Sequence, residues 1–263
     1  MLKVRIIPTL LWKGLGLVKG RSFDSSRRVG PVLPAIKVYN NRDVDELVLL
    51  DIDAYQTGEG PDLESANDFA DECFVPFTVG GGITQVEQIA QLLRAGADKV
   101  CINTAAYEMP GLVRQAALRF GAQCVVASID ARRMPDRSWR CFSRSGSYDT
   151  GKDPVAWAKE LQGEGAGEIL LTSIDQDGTL SGYDLALITA VAQAVNLPVI
   201  ASGGAGNYEH MRQAVQDAGA AAVAAASMFH FTEQTPAQAK LFLAAAGVPV
   251  RSSFDAFTAA KTR

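Results

Sequence analysis

A run in the first half of the chain, Asp45-Glu46-Leu47-Val48-Leu49-Leu50-Asp51-Ile52-Asp53, recurs in the second half as Gly167-Glu168-Ile169-Leu170-Leu171-Thr172-Ser173-Ile174-Asp175, an offset of 122 residues. A second stretch, Phe77-Thr78-Val79-Gly80-Gly81-Gly82, returns as Val199-Ile200-Ala201-Ser202-Gly203-Gly204 at nearly the same offset, each copy preceded by an X-Pro. Short apolar runs alternate with longer helical patterns throughout, which predicts a parallel sheet of βα units. The predicted strands begin near Val4, Glu46, Phe77, Lys99, Gln123, Glu168, Val199 and Ala221. The predicted helices span 34–41, 62–73, 85–95, 111–120, 154–163, 185–195, 208–218 and 236–246. Eight units that repeat after four read as two half-barrels. Closure removes the edge strands that an open doubly wound sheet would have to protect. The fold expected is therefore α/β, a single (β/α)₈ TIM barrel with an internal two-fold repeat over residues 1–251, followed by a tail over 252–263.

Composition agrees and narrows the partners. Of the 263 residues, 48% are hydrophobic and 21% charged, which suits a large buried core. A net charge of -4 and a pI near 5.3 offer no surface for nucleic acid or membrane. Cys73, Cys101, Cys124 and Cys141 show no C-x-x-C spacing and read as reduced thiols of a cytoplasmic protein, with no metal and no cofactor expected. The start, Met1-Leu2-Lys3-Val4-Arg5-Ile6-Ile7, carries charges inside a short apolar run and reads as a first strand and not as a signal peptide.

In a barrel of this kind the chemistry sits at the C-terminal ends of the strands. Both glycine turns fall there, each expected to lead into a helix and to present bare N–H groups to an anion. Two copies suggest a substrate with a phosphate at each end. Cys101-Ile102-Asn103-Thr104 and Ala225-Ala226-Ser227 bring polar groups beside the turns. Both long connections, 12–32 and 132–153, lie at the same face. Among the strand-end carboxylates Asp51, Asp53, Asp130, Asp175 and Asp177, most read as helix caps or loop ligands. Asp130 closes an apolar run ahead of a long loop, a good place for a general acid or base.

These residues resemble the cyclase subunit family of imidazole glycerol phosphate synthase. The likeness runs from about Arg5 to Arg251 and is carried by Arg5-Ile6-Ile7-Pro8, the glycine turns, Ala95-Gly96-Ala97-Asp98-Lys99-Val100, Ile102-Asn103-Thr104-Ala105-Ala106, Asp177-Gly178-Thr179 and Ser181-Gly182-Tyr183-Asp184. The resemblance implies one phosphate site from Gly82, Asn103 and Thr104, and a second from Asp177, Gly178, Gly204, Ala226 and Ser227. It also implies a glutaminase partner, docking near Asp98, and an ammonia gate of Arg5, Glu46, Lys99 and Glu168 at the N-terminal mouth.

One position departs from the family. Its acid/base pair is an aspartate on the first strand and one on the fifth; here the fifth has Asp130, but the internal repeat sets Leu11 opposite it. Leucine transfers no proton, and a positioned acid or base is typically worth about 10²–10⁴ in rate. Lys19, used by the family in its first long loop, is retained. The pattern resembles a divergent branch in bacterial surface-polysaccharide pathways, whose first strand also ends in Leu-Leu. There the barrel passes ammonia to a sugar amidotransferase that makes acetamidino groups. That conduit role is the expectation from sequence. The alternatives are an active cyclase of histidine biosynthesis and a sugar-phosphate isomerase of the related barrel.

Overall fold

The computed structural model describes residues 3–14 and 16–251, so the expected tail over 252–263 lies outside the described residues. The eight barrel strands are β1 (Arg5–Lys13), β2 (Leu47–Asp51), β3 (Phe77–Gly80), β4 (Lys99–Ile102), β5 (Val125–Arg133), β6 (Glu168–Ser173), β7 (Val199–Ser202) and β8 (Ala222–Ala225). Each pairs in parallel with its successor, and β1 pairs with β8 through Arg5↔Ala222 to Pro8↔Ala225, which closes the sheet. The (β/α)₈ barrel expected from the repeat is thus the fold.

The apolar runs are nearly continuous because both faces of each strand are covered. Ile7, Val48, Cys101, Val126, Leu170, Ile200, Ala222 and Ala224 fill the barrel axis. Alternate residues such as Ile6, Leu10, Leu47, Leu49, Ile169 and Leu171 face the outer helices. Full burial of each Val, Leu or Ile side chain contributes about 1.5–3 kcal/mol, so this two-shell core dominates stability.

The outer helices are α1 (Val32–Asn40), α2 (Leu63–Asp71), α3 (Val86–Arg94), α4 (Leu112–Phe120), α5 (Pro154–Gly163), α6 (Leu185–Ala192), α7 (Tyr208–Arg212) and α8 (Pro236–Ala245). Several starts are fixed by side-chain caps: Asp62, Asp153, Asp184, Asn207 and Thr235 each accept from a backbone N–H inside the first turn. Pro154 and Pro236 stand in those first turns, where a missing N–H costs nothing. The helix expected over 208–218 is split, since α7 passes into a π-helical turn over Gln213–Asp217. Among the described residues no helix is long and apolar enough to cross a membrane.

The two long connections are hairpins rather than loose loops. After β1, strands Gly16–Arg21 and Asp24–Gly30 fold back antiparallel, with Leu11↔Val18 in register. After β5, strands Trp139–Ser143 and Tyr148–Asp149 do the same, with Asp130↔Phe142 in register. The reason is that β1 and β5 overrun the barrel, so their unpaired edges take up local partners. All four cysteines are free thiols, Cys101 and Cys141 buried, Cys73 and Cys124 partly exposed.

Candidate functional site

A cavity of about 250 Å³ opens at the C-terminal ends of the strands. It is lined by Gly82, Asn103 and Thr104 on one side and by Asp177, Gly178, Gly204, Ala226 and Ser227 on the other. All eight residues expected at the two phosphate sites therefore share one cavity. Leu11 and Asp130 line it between them. At Gly204, with φ +107°, a Cβ would collide with the Gly182 carbonyl oxygen, so only glycine lets the two loops close on each other there.

The helix geometry differs from expectation. α3 and α7 start several residues beyond the glycine turns, capped by Gln85 and Asn207. The helix starts that reach the cavity belong instead to two short helices, Thr104–Glu108 after β4 and Ser227–Phe231 after β8. Their first residues and their caps, Asn103 and Ala226, line the cavity. The glycine turns supply close backbone approach, and the neighbouring units supply the helix starts.

The carboxylates separate by environment. Asp51 Oδ1 accepts from Asp53 N and Ala54 N, both at 3.0 Å, which is the local capping role. Asp175 accepts from Arg133 N at 2.7 Å, a loop ligand. Asp130 is different. Burial, with the Asp177 charge second, pushes its pKa up to about 7, against hydrogen bonds from Thr172 and Ser128. Asn103 Nδ2 also donates to Asp130 Oδ2 at 2.9 Å. A carboxyl that titrates near neutrality can both give and take a proton at working pH.

Lys19 stands behind the cavity wall rather than on it. Its side chain is fully buried in the first hairpin, and Nζ donates to the Thr9 carbonyl at 2.9 Å. Burial lowers its pKa to about 7, opposed by Asp177. The half-buried His230 nearby is held neutral, its pKa lowered to about 3 by partial burial and then by Lys19 and Arg42. In this conformation Lys19 reaches the cavity only through the field it shares with Asp177. Sequence reasoning missed the hairpin tips, for Phe23 and Ser145 also line the cavity. No local motif signals them.

At the other end of the barrel the four expected gate residues meet. Arg5 Nη1 lies 2.6 Å from Glu46 Oε2 and 3.0 Å from Glu168 Oε1. Lys99 Nζ lies 3.0 Å from Glu46 and 3.3 Å from Glu168. Thr78 Oγ1 donates to Glu46 Oε1 at 2.8 Å. Each charge has two opposite neighbours. Burial lowers the Arg5 pKa, but Glu168 and Glu46 outweigh it and raise it above the ordinary value. Asp98, exposed beside Lys99, accepts from Phe77 N and donates its own N–H to Phe77 O, both at 2.8 Å.

A sequence profile of the histidine biosynthesis protein family matches residues 5–235. The chain is 50% identical over 252 residues to imidazole glycerol phosphate synthase subunit HisF of Hyphomonas neptunium, covering 96% of this chain and 100% of the relative. It is equally 50% identical over 252 residues to the subunit of the same name from Caulobacter vibrioides, covering 95% and 97%. The chain belongs to the HisF family. Both HisF relatives carry the synthase name and neither names a surface-polysaccharide pathway or an isomerase. They favour the cyclase alternative over the conduit expected from Leu11.

Proposed function

We propose that this chain is the barrel subunit of an imidazole glycerol phosphate synthase. A glutaminase docks at the N-terminal face, near Asp98, and releases ammonia at the mouth of Arg5, Glu46, Lys99 and Glu168. Uncharged ammonia crosses the apolar axial layer, which an ammonium ion would enter only at a large desolvation cost. It meets a doubly phosphorylated substrate whose ends rest on the Gly82/Asn103/Thr104 and Asp177/Gly178/Gly204/Ala226/Ser227 cradles. Asp130 transfers the protons of ring closure.

The observation that carries this reading is Asp130, which lines the same cavity as both cradles and titrates near 7. The synthase name of both HisF relatives supports it. A steady-state assay with the bis-phosphate substrate and ammonium salt tests it, and turnover lost in Asp130→Asn is the expected result. No turnover in the unaltered protein sinks the ring-closure step.

A second reading rests on Leu11, which lines the cavity where the family's resemblance calls for a second carboxylate. Under it the barrel still takes ammonia from a glutaminase but hands it to a separate sugar amidotransferase. Co-purification with such an enzyme, together with inactivity on the bis-phosphate substrate, would favour it.

A further inference from the structure

Lys240 occupies a core position of α8. Pro236, Ala239, Lys240 and Leu243 form the buried stripe of that helix, and Lys240 is only 3% exposed. Its ammonium reaches the loop ahead of β2, 2.9 Å from Asp45 Oδ1 and 3.3 Å from Asp43 Oδ2. The Asp45 contact is an ion pair by distance without hydrogen-bond alignment, so its attraction is one of net charge.

Asp45, itself 2% exposed, holds β1 with its remaining groups. Its Oδ2 accepts from Ile6 N at 2.9 Å, and its own N–H donates to Ile6 O at 3.2 Å. Ile6 directly follows Arg5, and Asp45 directly precedes Glu46. The clamp thus joins the backbone beside the two mouth residues whose side chains make the shortest contact in the ring, 2.6 Å. Asp98 makes the same two-way clamp on Phe77 and directly precedes Lys99, yet it is exposed and, among the described residues, has no ion-pair partner. One clamp is neutralised inside the fold and the other is open to solvent.

We propose that Lys240 and Asp45 are positioning residues of the mouth, a buried pair that fixes Glu46 against Arg5 and couples α8 to the ring. An apolar residue at 240 would fill the stripe without desolvating a charge, so a charge kept there points to fixing geometry rather than to adding stability. The role in turnover rests on the reading of the mouth as the ammonia entrance.

The test compares glutamine-dependent with ammonium-dependent product formation in the glutaminase complex, for the parent, Lys240→Met, Lys240→Arg and Asp45→Asn. Lys240→Met and Asp45→Asn are expected to lower the glutamine-dependent rate roughly fivefold or more relative to the ammonium-dependent rate, because a small misplacement at the entrance affects only nitrogen that uses it. Lys240→Arg restores the ratio, and hydrogen exchange at the Ile6 and Asp45 amides quickens in Lys240→Met. Equal losses with both nitrogen sources, or an unchanged ratio, overturn the proposal. Should the parent make no product from either source, the function proposed above fails, and the Ile6 and Asp45 amides still decide the clamp. Unchanged protection there in Lys240→Met overturns it.

Discussion

Asn103 and Asp130, at the ends of adjacent strands β4 and β5, meet at 2.9 Å, the amide of one donating to the carboxylate of the other. Asn103 also lines the cavity, beside Gly82 and Thr104. An anion bound there stands close to Asp130 and raises its pKa further, because a like charge disfavours ionisation. Under the function proposed above, substrate binding would thereby favour the protonated, donating form of Asp130.

Asp177→Asn should move two titrations downward. Asp177 raises the Asp130 pKa and opposes the burial that lowers Lys19. Without its charge, Asp130 falls from about 7 toward the ordinary carboxylate range, and Lys19 falls below about 7. Carboxyl and lysine titrations by NMR read both, and an Asp130 value that rises contradicts the account.

Asp130→Asn should stabilise the fold in a pH-dependent way. The folded pKa of Asp130 is raised from 3.8 to about 7, so the folded state binds more protons in that window and stability falls as pH rises through it. Asparagine has no such loss. The melting temperature of the variant minus that of the parent should therefore grow between pH 4 and pH 7, by about 2 °C for each kcal/mol relieved in a chain of this length. A difference independent of pH would show that Asp130 is not buried as a charge.

Leu11→Asp supplies a carboxylate on β1 across the cavity from Asp130. Ring closure should accelerate relative to the parent, by up to about 10²-fold, the lower end of what a positioned acid or base provides. The new carboxylate replaces an apolar side chain beside Leu50, its in-register neighbour, so thermal stability should drop. A rate equal to that of the parent would show that β1 takes no part in proton transfer.

Asp98→Lys should weaken association with the glutaminase by about tenfold or more, since a reversed charge in an interface costs both encounter rate and register. Asp98→Asn separates charge from clamp: its amide oxygen still accepts from Phe77 N, so the fold keeps that bond while the contact loses its charge. Calorimetric titration of both variants checks this. Binding of Asp98→Lys at parental strength would move the docking face elsewhere.

The repeat made the barrel legible, because a register of strand, glycine turn and helix restated after four units has few other solutions. The eight strand starts follow from apolar runs bounded by Pro and Gly; the glycine turns and the polar groups at the ends of β4 and β8 follow from their repeated positions, whereas Asp177 and Gly178 come only with the family resemblance. The hairpins after β1 and β5 were not legible: polar, arginine-rich stretches such as Asp24–Gly30 look like loops until an overrunning strand edge gives them a partner. The position of Lys19 was hidden for the same reason, since its burial depends on which way the hairpin folds. Lys240 did leave a signal, a charge standing on an otherwise apolar i, i+3, i+4, i+7 stripe. Only its distance to Asp45 gives that signal a meaning.

The three loops at the cavity rim interlock. A Cβ on Gly178 would collide with the Gly20 carbonyl oxygen, one on Gly146 would lie 2.7 Å from Phe23 Cδ2, and Ser22 N donates to Asp177 O at 2.8 Å. Surface loops usually drift independently of one another. Here a lineage that lengthened the first hairpin, or placed a side chain at residue 146 or 178, would have to alter the other two in the same step. Exchanging a single loop with a HisF relative should accordingly fail where a joint exchange of all three succeeds, and new acceptors for the cavity would be reached by the set moving together.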